Sequence, residues 1–144
     1  MVAYNEVLTF GSHGTARHLN CSGIDFSEDG DQSWTSAPMA ELEFELPFAR
    51  QSITLELEAT PFGVPDIVPA QQVFIYIAGL FVGYSTFTGH AVKTFPLNRN
   101  TMPSRTSRLS LVIPTAISPN ALRMGDDMRQ LGIRLTSIAF RSMA

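Results

Sequence analysis

AELEFELPFARQSITLELEA, running from Ala40 to Ala59, decides the fold of this chain. In its first arm Leu42, Phe44 and Leu46 alternate with Glu41, Glu43 and Glu45. In its second, Ile53, Leu55 and Leu57 alternate with Thr54, Glu56 and Glu58. Successive side chains of an extended strand point to opposite faces, so each arm is a strand with one face for a core and one for water. Pro47 has no N–H to give to a ladder and ends the first arm. The short link Pro47–Ser52 makes the two arms read as a hairpin. Two strands with one apolar face each need a second apolar layer, which makes the rest of the chain a sandwich partner. Leu42, Phe44, Leu55 and Leu57 are the expected core.

On the N-terminal side, residues 3–10 form a first strand with Tyr4, Val7, Leu8 and Phe10 as its apolar content. From Gly11 to Pro38 the composition turns to Gly, Ser, Asp and Asn and no period survives, so a long ordered loop is expected. On the C-terminal side, Pro61, Pro65 and Pro69 interrupt pairing and make a second loop. Gln72–Ala78 is apolar on both faces, as an inner strand covered on two sides would be. Ala78-Gly79 is a turn, Leu80–Phe87 returns as the next strand, and Val92–Leu97 is a weaker one. Asn98–Ser107 is a polar connection. Leu109, Leu111 and Ile113 alternate again, and Ser118–Arg129 has room for one helical turn. In the last strand, LGIRLTSIAF, the alternation slips between Leu135 and Ile138, as a bulge makes it slip. About eight antiparallel strands with no long helical period predict a single all-β domain over 1–144, a jelly-roll sandwich, an architecture common among lectin and capsid domains. An immunoglobulin-like sandwich is disfavoured by the two long loops and by the missing Cys…Trp…Cys pattern.

Composition bounds the function. At 144 residues with 44% hydrophobic and 16% charged residues, the chain can bury a full core without staples. The single cysteine, Cys21, forms no internal disulfide and leaves the redox compartment open. No run reaches the roughly eighteen apolar residues of a membrane span. MVAYNEVLTF has neither the basic region nor the apolar core of a signal peptide, which leaves a cytoplasmic protein or an excised domain of a cell-envelope protein. Residues 1–72 carry eleven acids and two bases, whereas residues 73–144 carry two acids and eight bases. Acidic and basic strands interleaving in a sandwich account for this split, and a basic face for an anionic ligand is the sharper alternative. The bases occur singly and never as a run, which argues against nucleic acid as a partner.

No strong catalytic motif is present: there is no nucleophile elbow, phosphate loop, dinucleotide fingerprint or zinc-protease helix. Paired carboxylates for glycoside hydrolysis meet only in space, so a small hydrolase or a hydrolase subunit stays as a minor reading. His13, His18 and His90 lack ligand spacing. In SGIDFSEDGDQSW (Ser22–Trp34), Asp25, Asp29 and Asp31 crowd a short loop. It reads as a solvated acidic turn, with a calcium ion held by carboxylates and carbonyls as the alternative. Trp34, the only tryptophan, either fills the end of the core or offers a sugar ring a flat apolar face, with Phe26 and Tyr84 beside it. Arg129, in the compact turn Gly125–Gly132, is expected to clamp the acidic loop by a charge-assisted bond together with Asp127, or to contact a ligand.

The order of these residues resembles a group of bacterial β-sandwich domains that accompany glycosyltransferases and other surface-polysaccharide proteins. FGSHG (Phe10–Gly14), Gly23 with Glu28 near it, and SWTSAPMAELEFELP are similar to a pattern close to GWSxPExxGxWSxGxxAxLxxxLP. PFGVPDIVPAQQVFIYIAG is similar to the group's PFxxPxxPxQxVxVxxNG, and GDDMRQLGIRLTSIAF to its GxxxDxRxLGIxLxSIxF. Ile24 stands in place of the group's first tryptophan, and Ala78 in place of its turn asparagine. The resemblance implies a jelly-roll accessory module for carbohydrate recognition, with Glu28 among the ligand-facing residues and a glycosyltransferase as an associated protein. The expectation is therefore a non-catalytic carbohydrate-binding or polysaccharide-associated module whose partner is a glycan or polysaccharide. From a different class comes a structural protein that forms a homo-oligomer through a sheet face.

Overall fold

The computed structural model of the chain describes residues 1–48, 51–98 and 106–142. Within them run eleven strands: β1 (Val7–Thr9), β2 (Cys21–Ser22), β3 (Ile24–Asp25), β4 (Ser33–Thr35), β5 (Met39–Phe44), β6 (Ile53–Pro61), β7 (Gln71–Ile77), β8 (Leu80–Phe87), β9 (Ala91–Leu97), β10 (Ser107–Val112) and β11 (Ile133–Ser142). Six of them form one sheet, ordered β3-β4-β11-β6-β9 with β1 also beside β11. Five form the other, ordered β2-β5-β10-β7-β8. Every pairing is antiparallel. The architecture is the expected jelly-roll sandwich. Among the described residues no helix is long and apolar enough to cross a membrane.

The expected core faces inward. Leu42, Phe44, Leu46, Ile53, Leu55 and Leu57 are all buried, and they join Val73, Ile75, Leu109, Leu111, Ile138 and Phe140 in one cluster. The hairpin reading is corrected. The first arm is β5, between β2 and β10, while the second is β6, between β9 and β11 in the opposite sheet. In a hairpin both apolar faces point the same way. Crossing between sheets sets them face to face, so that Phe44 of β5 stacks on Phe140 of β11 with centroids 4.6 Å apart.

Two further expectations change. The stretch Gly11–Pro38 is not a loop throughout but holds β2, β3, β4 and a 3-10 turn at Thr15–His18. Gly11 lets it pack tightly: it sits at φ +89°, where a Cβ would lie 2.0 Å from the Gly30 carbonyl oxygen. Its N–H donates to the buried Ser33 hydroxyl at 2.8 Å. β7 is covered on one face only: Val73, Ile75 and Ile77 are buried, while Phe74 and Tyr76 point outward and are half-buried. Ser118–Arg129 is built of turns and holds the one helical turn expected, closed by the Leu122 N–H on the Ser118 carbonyl oxygen at 3.3 Å. The slip in the last strand is real. The β6–β11 register shifts between Leu135 and Ser137, leaving Thr136 as the extra residue.

Candidate functional site

The outer face of the five-stranded sheet collects aromatic side chains because β7 places Phe74 and Tyr76 at alternate, outward positions, while a bulge at Val82 turns Phe81 and Tyr84 of β8, three residues apart, to that same face. The turn joining them has Ala78 at φ 52° and Gly79 at φ 78°, the left-handed pair that a tight two-residue hairpin needs. The register then sets Tyr84 opposite Phe74, and Phe81 opposite Tyr76. Phe74 and Tyr84 lie 4.7 Å apart and tilted, Tyr76 and Phe81 5.6 Å apart and edge-on. Phe81 remains 58% exposed and Tyr84 46%, and the Tyr84 hydroxyl bonds that of Thr86 at 2.9 Å. Across the sheet the two rows continue through β10 and β5, one as Val112 and Met39, the other as Ser110 and Glu41. Large aromatic rings left in water at adjacent positions are unusual on a surface that only has to be soluble.

Beside these rings lies an open cleft of about 210 Å³ lined by Asn20, Cys21, Ser22, Glu41, Glu43 and Arg108. Arg108 Nη2 donates to Glu43 Oε1 at 3.2 Å, and the Ser110 hydroxyl donates to Glu41 Oε2 at 2.8 Å. Burial pushes the Cys21 thiol up to about 11, and its S–H points at the Ala16 carbonyl oxygen at 3.5 Å. At neutral pH it is a thiol and not a nucleophile. The face thus offers flat apolar rings next to fixed donors and acceptors, the combination that holds a ring with one apolar face and hydroxyls around its edge.

A second group of polar residues sits on the other sheet. Trp34 lies on β4 between the buried Ser33 and Thr35, so its half-buried ring faces outward rather than filling the end of the core. Phe62 meets it edge-on at 6.0 Å, and the Arg134 guanidinium lies 5.7 Å from its centroid. Asp25, opposite Trp34 on β3, is gripped by Arg129 at 2.9 Å. The same guanidinium holds Glu28 at 3.0 Å and Asp127 at 2.7 Å. Hydrogen bonds from Ser27, then Arg129, hold the Asp25 carboxyl below the usual carboxylate range. Hydrogen bonds from Arg129 do the same for Asp127.

No family model matches the chain, and no curated protein matches it. Solved structures do. A family 36 carbohydrate-binding module of a multidomain xylanase from the hindgut metagenome of Trinervitermes trinervoides is 10% identical, with a TM-score of 0.58 over 96% of this chain and 98% of that one. A family 6 module from Bacillus halodurans, described as binding β-1,3-glucan, is 13% identical, with a TM-score of 0.53 over 99% of both chains. A family 36 module in complex with calcium and xylotriose is 15% identical, with a TM-score of 0.50 over 94% and 98%. The fold is that of a carbohydrate-binding module.

Against that fold, the residues singled out in the sequence fall in three places. Tyr84 stands in the aromatic face of the five-stranded sheet. Trp34, Glu28 and Arg129 gather at the β3–β4 edge of the other sheet, with Asp25. Phe26 is stacked on Phe10, 5.9 Å away and 8° from parallel, and packs partly buried against the core. The three aspartates are not brought to one point. Asp25 is held by Arg129, Asp29 accepts from the Ser12 hydroxyl at 3.2 Å, and Asp31 is exposed. Among the described residues no three of His, Cys, Asp and Glu are placed to share a metal ion. Within the acidic loop, Asp25 and Glu28 both meet the guanidinium of Arg129. Sequence reading missed Phe74, Tyr76 and Phe81. The signal for Phe74 and Tyr76 was there in VFIYI (73–77), where outward aromatic residues alternate with inward aliphatic ones.

Proposed function

We propose that this chain is a non-catalytic carbohydrate-binding module that takes a glycan on the outer face of its five-stranded sheet. The observation that carries this is the outward-facing row of Phe74, Tyr76, Phe81 and Tyr84, the last two exposed, on the same sheet face as the Glu41–Glu43–Arg108 cleft. Rings stack on the sugar's apolar face, while Ser110, Arg108 and the two glutamates exchange hydrogen bonds with its hydroxyls. The shared fold with modules that bind xylotriose and β-1,3-glucan supports the ligand class. The resemblance to accessory domains of glycosyltransferase and surface-polysaccharide proteins supports a polysaccharide as the setting. On a glycan array, wild-type protein is expected to bind, and Tyr84→Ala or Phe81→Ala to weaken binding about tenfold or more while melting as the parent does. Binding is expected to persist in a metal chelator. An array blank for wild type, or one on which both variants match it, would sink the reading.

A second reading comes from the edge of the same sheet. β8 carries no charged residue and no proline, the features that usually keep an edge strand from pairing with another chain. An assembly protein would cover the aromatic face with a second copy. Sedimentation would then show a dimer that Thr86→Lys dissociates, whereas a monomer at all concentrations removes this reading.

A further inference from the structure

We infer that the opposite sheet carries a second site, formed by Trp34 and Arg134, for the carboxylate of an acidic sugar such as a hexuronate residue of a polysaccharide. It goes beyond the aromatic face of the five-stranded sheet and does not rest on it. Arg134 lies on β11, directly across from Trp34 of β4 on one side and Thr60 of β6 on the other. All three side chains project from the outer face. Arg108, Arg129 and Arg141 each hold a carboxylate. The Arg134 side chain is half-buried and, among the described residues, makes no hydrogen bond or ion pair. Its guanidinium lies over the indole, 5.7 Å from the ring centroid, and its Nε is shut off from solvent with no acceptor. A half-buried guanidinium with no anion of its own offers its Nη donors as a fork, which a carboxylate fits with two parallel bonds.

The neighbouring acids cannot supply that anion, because each already has a partner. Asp25, on the far side of Trp34, is held by Arg129 at 2.9 Å. Glu58 is held by His90 at 2.7 Å, and the other nitrogen of that ring bonds the Thr60 hydroxyl at 2.6 Å. The Gln32 amide donates to Thr136 at 2.7 Å, in the bulge beside Arg134. These paired groups form a polar rim. A pyranose resting against the exposed part of the indole turns its ring carboxylate toward Arg134 and its hydroxyls toward Thr60 and His90.

The sole tryptophan reports this site directly. Titration with tri-galacturonate should change Trp34 fluorescence saturably, and its fully methyl-esterified form, equal in length but uncharged, should not. Arg134→Gln should weaken binding about tenfold and Arg134→Lys by less, because an ammonium keeps the charge and loses the fork. Tyr84→Ala should leave the titration unchanged. Equal response to the two trisaccharides, no saturable response, or full competition by acetate alone at the same concentration would each overturn the inference. The first two outcomes are read on wild-type protein and need no variant to fold.

Discussion

Ala78 shows what one residue costs when a turn demands what it cannot easily give. It sits at φ 52° in the β7–β8 turn, ahead of Gly79, in the left-handed region where a Cβ crowds the following carbonyl oxygen. Asn and Gly visit that region with little penalty. Ala78→Asn or Ala78→Gly is therefore expected to stabilise the protein by about 1 kcal/mol, read as a higher urea midpoint with an unchanged slope. An unchanged or lower midpoint would mean that the turn relaxes at no cost. Arg129 is the contrary case, a residue whose surroundings all agree with it. It bonds Asp25, Glu28 and Asp127 at once. Arg108, which belongs to β10 rather than to the connection before it, is 56% exposed and pairs with Glu43 alone at close range. Arg129→Ala should cost about 1–2 kcal/mol and Arg108→Ala no more than about 0.5. Lysine at 129 should recover only part of the loss, since it cannot fork. Arg105, the other control the sequence suggests, lies outside the described residues.

At the scale of elements, the paired arms of the Ala40–Ala59 stretch bear the core from both sides. Phe44 is 3% exposed and stacks on Phe140 across the sandwich, so Phe44→Ala should cost about 3–5 kcal/mol in a denaturant melt. A loss under 1 kcal/mol would contradict the packing. These strands were legible because six to nine residues give alternation enough repeats to stand out. β2, β3 and β4 were not, because two or three residues carry no period. They are held instead by tertiary partners such as the Ser33 hydroxyl under Gly11 and the Thr35 hydroxyl under Ile133. The hairpin error has a related cause. Alternation tells which face of a strand is buried, but not which sheet the strand joins. The Arg129 clamp was legible from charge and from the neighbouring ends of the fold. The aromatic face needed the β7–β8 register, since Phe74 and Tyr84 meet only when the strands pair.

At the scale of the whole molecule, the acidic first half and basic second half of the chain are laid against each other. Glu43 of β5 meets Arg108 of β10, Glu56 of β6 meets Arg141 of β11, and Asp25 meets Arg129. Sequence-distant charges thus join the two halves, as acidic and basic strands interleaving in a sandwich are expected to do. This pairing also gives stability a pH dependence whose sign follows from the carboxylates. Asp25 and Asp127 have folded-state values held below their unfolded ones, near 3.9. A depressed carboxylate stabilises the fold fully above its unfolded value. That contribution is lost as pH falls through the folded one, because the proton then binds the unfolded chain more readily. Asp127 owes its shift to Arg129, whereas Asp25 owes its own first to Ser27. Removing Arg129 should therefore abolish most of the Asp127 contribution and only part of that from Asp25. Melting temperatures of wild type and Arg129→Ala should differ most between about pH 5 and pH 7, and the gap should close as pH drops below about 4. A gap that stays constant down to pH 2 would mean that Arg129 acts through packing of its stem and not through its charge.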